Sequence, residues 1–304
     1  ASYLKKEKLN ADKENFQFIS LLNGVGLTNF SQACKKEHSK ECLQLLNDMG
    51  IQYSALSSQD VLLTTKEINE SIKTTSTIWF STNLQSSKKE EKNNWLPFVE
   101  IATSHNPLLL MSWISEPENF NKKNTLIISN EATLKNWKDW KKQSLTKNLI
   151  WLTHQSDEMN QNFLQKLCEN KLPVLAVLSA KNSDYFDDKT KCLPYLSAGA
   201  NTKNLIRFEL EWIKDNWIIT KQDQINLDSN ISEDSELKEK ITKLYKKNAV
   251  NALDTLTEVK TDKNAMEVAS WFANVLISSG HTDIAFIQKS SIKNGFESGP
   301  LNRE

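Results

Sequence analysis

Side chains able to do chemistry are few in this 304-residue chain, and they are scattered. The four histidines, His38, His105, His154 and His281, lie far apart, so spacing alone assembles no metal-ligand cluster. The four cysteines, Cys34, Cys42, Cys168 and Cys192, form no Cys-x-x-Cys pair, and zinc, haem and thioredoxin chemistry all lack their spacing. Cys34 and Cys42 flank the polar stretch Lys35–Lys40 and can close a small disulfide loop; two free thiols in a helix–turn–helix fit the same spacing. Asn23-Gly24-Val25-Gly26 has glycines of the kind that cradle phosphate, but it lacks the longer glycine fingerprint and a following Lys-Ser/Thr, so it reads as a plain turn. Asp60 and Asp157 are candidates for paired carboxylates, yet nothing places them together, and both are expected to be exposed. Trp137 and Trp140, three apart in a lysine-rich stretch, fit core packing first and a protein-contact face second, since tryptophan is enriched at interface hot spots.

Composition narrows the classes further. Hydrophobic residues make up 38% and charged residues 25%, the balance of a globular chain rather than a disordered one. Lys plus Arg equals Asp plus Glu at 38 each, which leaves no basic excess for nucleic acid. Only seven glycines are present, and phosphate and metal sites in α/β proteins lean on glycine for close backbone approach. No apolar run reaches the ~20 residues needed to span a bilayer. The opening Ala1-Ser2-Tyr3-Leu4-Lys5-Lys6 is neither a signal peptide nor a start methionine and reads as a mature or trimmed end.

The elements that must position any site follow from hydrophobic pattern. Short apolar runs alternate with amphipathic stretches, which predicts an α/β fold. Strands are expected over Phe16–Leu21, Thr125–Ile128, Leu149–Leu152, Val174–Leu178 and Arg207–Trp212, the last paired in a hairpin with Trp217–Ile219. The runs at Leu149 and Val174 are continuously apolar, as strands covered on both faces are. Between them, Ser156–Asn170 is expected to be a helix, with Ser156 as cap and Met159, Phe163, Leu164 and Leu167 on one face. Ser232–Lys247 reads as a charged linker helix, Ala265–Ile277 as an apolar helix and Asp283–Ile287 as a buried strand.

The stretch Leu193–Trp212, with Pro194, Ala198-Gly199-Ala200, Lys203, Leu205, Arg207 and Leu210-Glu211, resembles a strand-and-turn motif of the 5'-nucleotidase family. Leu45–Leu56, Ile231–Leu237 and Thr282–Ile287 resemble further segments of the same family, in the same order. That resemblance implies a layered α/β/β/α metallophosphoesterase sandwich over residues 1–228, a linker helix over 229–262 and a partial second α/β domain over 263–304. It implies secreted proteins in which two metal ions, held by Asp, His and Asn on the loops after the strands, polarise a phosphate and generate hydroxide.

In this chain the implied ligand positions are eroded. The first Asp-x-His motif is expected to lie before residue 1. The bridging aspartate falls on the turn at Asn23, and the Gly-Asn-His-Glu motif falls on Ser57-Ser58-Gln59-Asp60, which puts Ser58 and Gln59 at ligand positions. The Gly-His-x-His motif falls on Ser179-Ala180-Lys181-Asn182, so Ala180 and Asn182 replace two imidazoles. Only His154 matches a ligand, and it reads more simply as a strand-end imidazole satisfied locally. The family's Asn-x-Gly-Gly-Ile-Arg substrate loop becomes Gln288-Lys289-Ser290-Ser291-Ile292-Lys293, where Lys293 loses the planar fork that grips phosphate in two places.

The expectation is therefore a non-catalytic extracytoplasmic (periplasmic) scaffold or binding subunit with no metal and no cofactor. Its partners are other protein subunits; nucleic acid and a membrane span are not expected, and nucleotide binding is doubtful. A diverged metal-dependent phosphohydrolase and a small-ligand receptor using the old cleft are the alternatives.

Overall fold

Two sheets, one parallel and one parallel but for an edge pair, share an apolar core and form the frame of the first part of the chain. The structure is a computed structural model and describes residues 1–24, 27, 40–86, 92–114, 125–127, 148–153, 158–169, 174–179, 193–197, 204–228, 230–248, 255–278, 295–296 and 298–302. The chain divides into two compact units, one taking in Ala1–Phe30 and Cys34–Lys240, the other Ile241–Glu304. No helix among the described residues is long and apolar enough to cross a membrane.

The first unit opens with helix α1 (Ser2–Lys13), followed by β1 (Leu21–Asn23), α2 (Lys40–Asp48), β2 (Tyr53–Ala55), α3 (Thr65–Ile72) and β3 (Ile78–Phe80). The three strands pair in parallel in the order β1-β2-β3. The strand expected over Phe16–Leu21 is thus displaced to Leu21–Asn23. The start lies five residues on, and just before it the Ser20 N–H donates to Gln52 Oε1 and the Ser20 hydroxyl to the Gly50 carbonyl. Helix α3 is started by a capping box in which Thr64 and Glu67 satisfy each other's backbone N–H.

The second sheet has the order β10-β9-β8-β6-β5, built from β5 (Val99–Ile101), β6 (Leu108–Trp113), β8 (Asn148–Thr153), β9 (Val174–Ser179) and β10 (Tyr195–Ser197). All its pairings are parallel except β5 with β6. β6 and β8 are buried at every position, as their unbroken apolar runs require. Helix α4 (Glu158–Glu169) joins β8 to β9 and completes the expected strand–helix–strand unit; the Ser156 cap lies outside the described residues. Its Phe163 packs between Trp113 and Trp151, with ring centroids 5.4 and 4.7 Å away. A small pair, β4 (Leu84–Ser86) with β7 (Thr125–Ile127), stands beside these sheets in the topology.

The expected hairpin is a long ribbon, β11 (Asn204–Ile213) with β12 (Asn216–Asn226). Lys214 and Asp215 both take positive φ, 50° and 62°, which gives the two-residue turn whose twist matches the strands. Phe208, Leu210 and Trp217 pack on the β6–β8 core, and the Trp217 indole donates to the Asn106 carbonyl at 2.7 Å.

Helix α5 (Ser235–Asn248) carries the chain from one unit to the other. It starts three residues later than the sequence suggests, because Asp234 rather than Ser232 caps it, accepting the Leu237 N–H at 3.1 Å. Within the stretch 229–262 assigned to the linker, the helix ends at Asn248 and Thr255–Val259 forms a strand, β13. In the second unit β13 pairs antiparallel with β14 (Gly299–Asn302), and α6 (Ala265–Ser278) is capped by Asn264 and Glu267. Gly295 must be glycine here, since a Cβ would collide with the Lys263 carbonyl. The strand expected at Asp283–Ile287 and the tryptophans Trp137 and Trp140 lie outside the described residues.

Cys42, buried in α2, and Cys168 in α4 are both disulfide-bonded, and no described cysteine is free. Cys34 and Cys192 lie outside the described residues.

The aromatic stack gives a direct test. Phe163→Ala should cost about 3–5 kcal/mol in urea unfolding, because it opens a cavity between two buried indoles. Trp151→Phe should cost clearly less, since the Trp151 indole N–H has no acceptor to lose. Equal losses for the two variants would refute this account of the packing.

Candidate functional site

In open parallel sheets, ligands gather outside the carboxyl ends of the strands. Here those ends carry Asn23 and Gly24 after β1, Ser57–Asp60 after β2, Ser81–Asn83 after β3, Thr153 at the end of β8 and Ser179 at the end of β9. Side-chain hydrogen bonds draw them together from both sheets.

Asn23 is the central link. Its Nδ2 donates to the Thr153 carbonyl and to the Leu178 carbonyl, both at 3.0 Å. One carboxamide thus ties the end of β1 in the first sheet to the ends of β8 and β9 in the second. Chemistry fixes its orientation: the reverse flip would set oxygen against two oxygens. A second link joins β3 to β6. Ser112 N–H donates to Thr82 Oγ1 at 3.1 Å, Asn83 Nδ2 donates to the Ile114 carbonyl at 2.7 Å, and Ile114 N–H returns to Asn83 Oδ1 at 3.0 Å.

The expectation that Asp60 is an exposed aspartate is wrong. It is fully buried, because the turn after β2 folds its carboxylate back under the chain. Ser57 donates to it twice, N–H at 2.6 Å and Oγ at 2.8 Å, and the Leu27 N–H donates to its other oxygen. It latches the segment after β1 onto the turn after β2. Burial pushes its carboxyl up to about 7, against the opposing pull of these three donors. Asp157, its supposed partner, lies outside the described residues.

Similar solved structures share this frame. A sulfate thiohydrolase of Thermus thermophilus, solved in complex with glycerol, has a TM-score of 0.69 and 12% identity, over 92% of this chain and 53% of that one. The 5'-nucleotidase of Candida albicans gives 0.68 at 10% identity, over 100% of this chain and 65% of that one. A 5'-nucleotidase precursor of Thermus thermophilus gives 0.64 at 12% identity, over 89% and 60%. The chain has a 5'-nucleotidase-like metallophosphoesterase fold. It spans 53–65% of the length of these three structures. No family model matches the chain, and no curated protein sequence does.

On this 5'-nucleotidase-like frame, three of the positions singled out in the sequence can be placed. Asn23 lies at the junction of the sheets, Ser58 is buried beneath the turn after β2, and Gln59 is exposed on it. His154 directly follows the buried Thr153, but it, Ala180, Asn182, Gln288, Ser290, Ser291 and Lys293 lie outside the described residues. Among the described residues, no three His, Cys, Asp or Glu side chains stand close enough to hold a metal ion. Sequence reasoning missed the Thr82–Asn83 link. Its one signal is a run of three polar residues, Ser81-Thr82-Asn83, directly after an apolar strand.

Two measurements follow from this geometry. Asn23→Leu should lower stability by roughly 1–3 kcal/mol through the stranded carbonyls, and Asn23→Asp by more, since a carboxylate would face two carbonyl oxygens. A loss below ~0.5 kcal/mol for both would mean that the link is idle. For Asp60 the folded value, about 7, lies above its ordinary value of 3.8, so the folded chain holds a proton that the unfolded chain has released. Its contribution is complete below about pH 4 and is lost as pH rises to about 7, at about 1.4 kcal/mol per pH unit. Asp60→Asn should flatten that part of the stability–pH profile; an unchanged slope would refute the assignment.

Proposed function

We propose that the chain is a non-catalytic, extracytoplasmic 5'-nucleotidase-like protein that serves as a scaffold or binding subunit of a larger assembly. The observation that carries this reading is Asn23. At the meeting point of the strand ends, metal ions would require inward-facing lone pairs from carboxylates or imidazoles. Asn23 instead points N–H donors at the carbonyls of Thr153 and Leu178, doing without charge what a cation would do there. Ser58 and Gln59 on the neighbouring turn, and Ala180 and Asn182 in the sequence after β9, add no carboxylate or imidazole. Gln288, Ser290, Ser291 and Lys293 likewise weaken the case for a nucleotide.

The partner half of the proposal draws support from α6. Five of its large apolar residues are exposed, among them Met266 at 68% and Trp271 at 52%, with Phe272, Val275 and Ile277 beside them. Exposed apolar surface on this scale marks an interaction face, and aromatic residues are the usual anchors of one. Disulfides at Cys42 and Cys168 favour an oxidising compartment. A second reading, a diverged metal-dependent phosphohydrolase, is favoured by the names of the fold neighbours, which include 5'-nucleotidases.

Metal content and turnover separate the two. The proposal expects no stoichiometric Mn, Zn, Mg or Ca by elemental analysis, and no phosphate release from a panel of nucleotides in their presence. A bound metal pair with turnover would establish the second reading. For the partner, the protein purified from its source should elute as a stable complex, and Trp271→Ser with Phe272→Ser should break that complex while leaving urea unfolding of the first unit unchanged. A monomer free of partners would overturn the scaffold role.

A further inference from the structure

Helix α1 is attached to the first unit in an unusual way. None of its twelve residues is fully buried, and only Leu4 packs partly against a core cluster. A helix of this length is marginal in water without outside support. Its support is polar. Lys5 Nζ pairs with Asp234 Oδ2 at 2.7 Å, and Arg207 Nε pairs with Glu7 Oε2 at 3.0 Å. The Ser2 hydroxyl donates to the Ser232 carbonyl.

Both anchors already have work elsewhere. The other oxygen of Asp234 caps α5 by accepting the Leu237 N–H. Arg207 also holds Glu209 at 2.5 Å and Asp223 at 3.3 Å on the outer face of the hairpin, and Lys221 bridges the same two acids at 3.5 and 3.7 Å. One carboxylate, Asp234, therefore couples the docking of α1 to the first turn of the helix that leads to the second unit. The pairing with Lys5 holds the Asp234 carboxyl below its ordinary value and the Lys5 ammonium above its own.

We propose that α1 is an ionic strap that steadies the start of the linker helix α5 and is released as ionic strength rises. This does not rest on the scaffold reading and would hold equally for an enzyme. Lys5 and Arg207 are 50% and 35% exposed, whereas Asp234 and Glu7 keep only 10% and 16%, so salt reaches the pairs from the cation side and weakens them as the screening length, about 10 Å at 0.1 M salt, shrinks to about 3 Å at 1 M. Released, α1 loses its helix and uncovers Arg207 and its acids. Asp234 keeps its cap but loses the cation that held it in place, so the first turn of α5 frays more often.

Hydrogen exchange read by mass spectrometry tests this on the whole chain. In the wild type, amides of Ser2–Lys13 should exchange about tenfold faster near 1 M KCl than near 0.05 M, with a smaller acceleration in residues 235–240 and none in β8. Lys5→Gln with Glu7→Gln should give the fast pattern at low salt already, and salt should then add little. Leu4→Ala is the counter-test. If salt and the double variant leave α1 unchanged while Leu4→Ala alone releases it, the hold is apolar and the proposal is wrong. Since the salt titration uses the unmodified protein, a misfolded variant does not spoil the test.

Discussion

The first unit depends on a junction where two sheets present the carboxyl ends of their strands to each other. Such ends leave backbone carbonyls and N–H groups facing a dry interior, and each must find a partner. Asn23 supplies two donors at one point, and Thr82 with Asn83 supplies a matched set at another. Remove these amides and hydroxyls and the apolar packing of both sheets would remain, yet their relative setting would be specified far less tightly.

Among the described residues, the same junction carries little charge. Ser57, Ser58, Ser81, Thr153 and Ser179 are buried and neutral, and among the described residues Asp60 is the one buried carboxylate. Three hydrogen bonds favour its ionised form, but desolvation outweighs them and leaves it balanced near neutrality. Among the described residues, Asn23 and its neighbours satisfy backbone groups of both sheets.

How much of this could be read from the sequence depends on element length and on whether contacts are local. The β8–α4–β9 unit and the β11–β12 hairpin were legible from six or more residues of continuous or alternating apolar character, whereas β6, equally long and apolar, was not expected. Strands β2, β3, β4 and β5 have three residues each, too few for a period, and the sequence left them unseen. Helix α1 was missed for a different reason: it buries no residue, so no apolar stripe announces it. At the site, the residue types at Asn23, Ser58 and Gln59 were visible in the sequence, whereas the contacts made there were not. Asn23 meets Thr153 and Leu178 across 130 and 155 residues, and Asp60 meets Leu27 across 33, distances at which a one-dimensional pattern carries no information.

Asn23 is followed by Gly24, which has φ of 74° and no side chain to shield its backbone nitrogen. Asparagine is thermally labile, and an Asn-Gly pair is where succinimide closure and loss of ammonia meet least hindrance. While its carboxamide stays pinned between two carbonyls, the side chain is held away from that ring closure, so the fold protects its own link. A molecule that opens long enough to deamidate gains an acid at the one point built for an amide. Chemical ageing would thus act on the join between the sheets, and a damaged copy could not simply refold into the undamaged form.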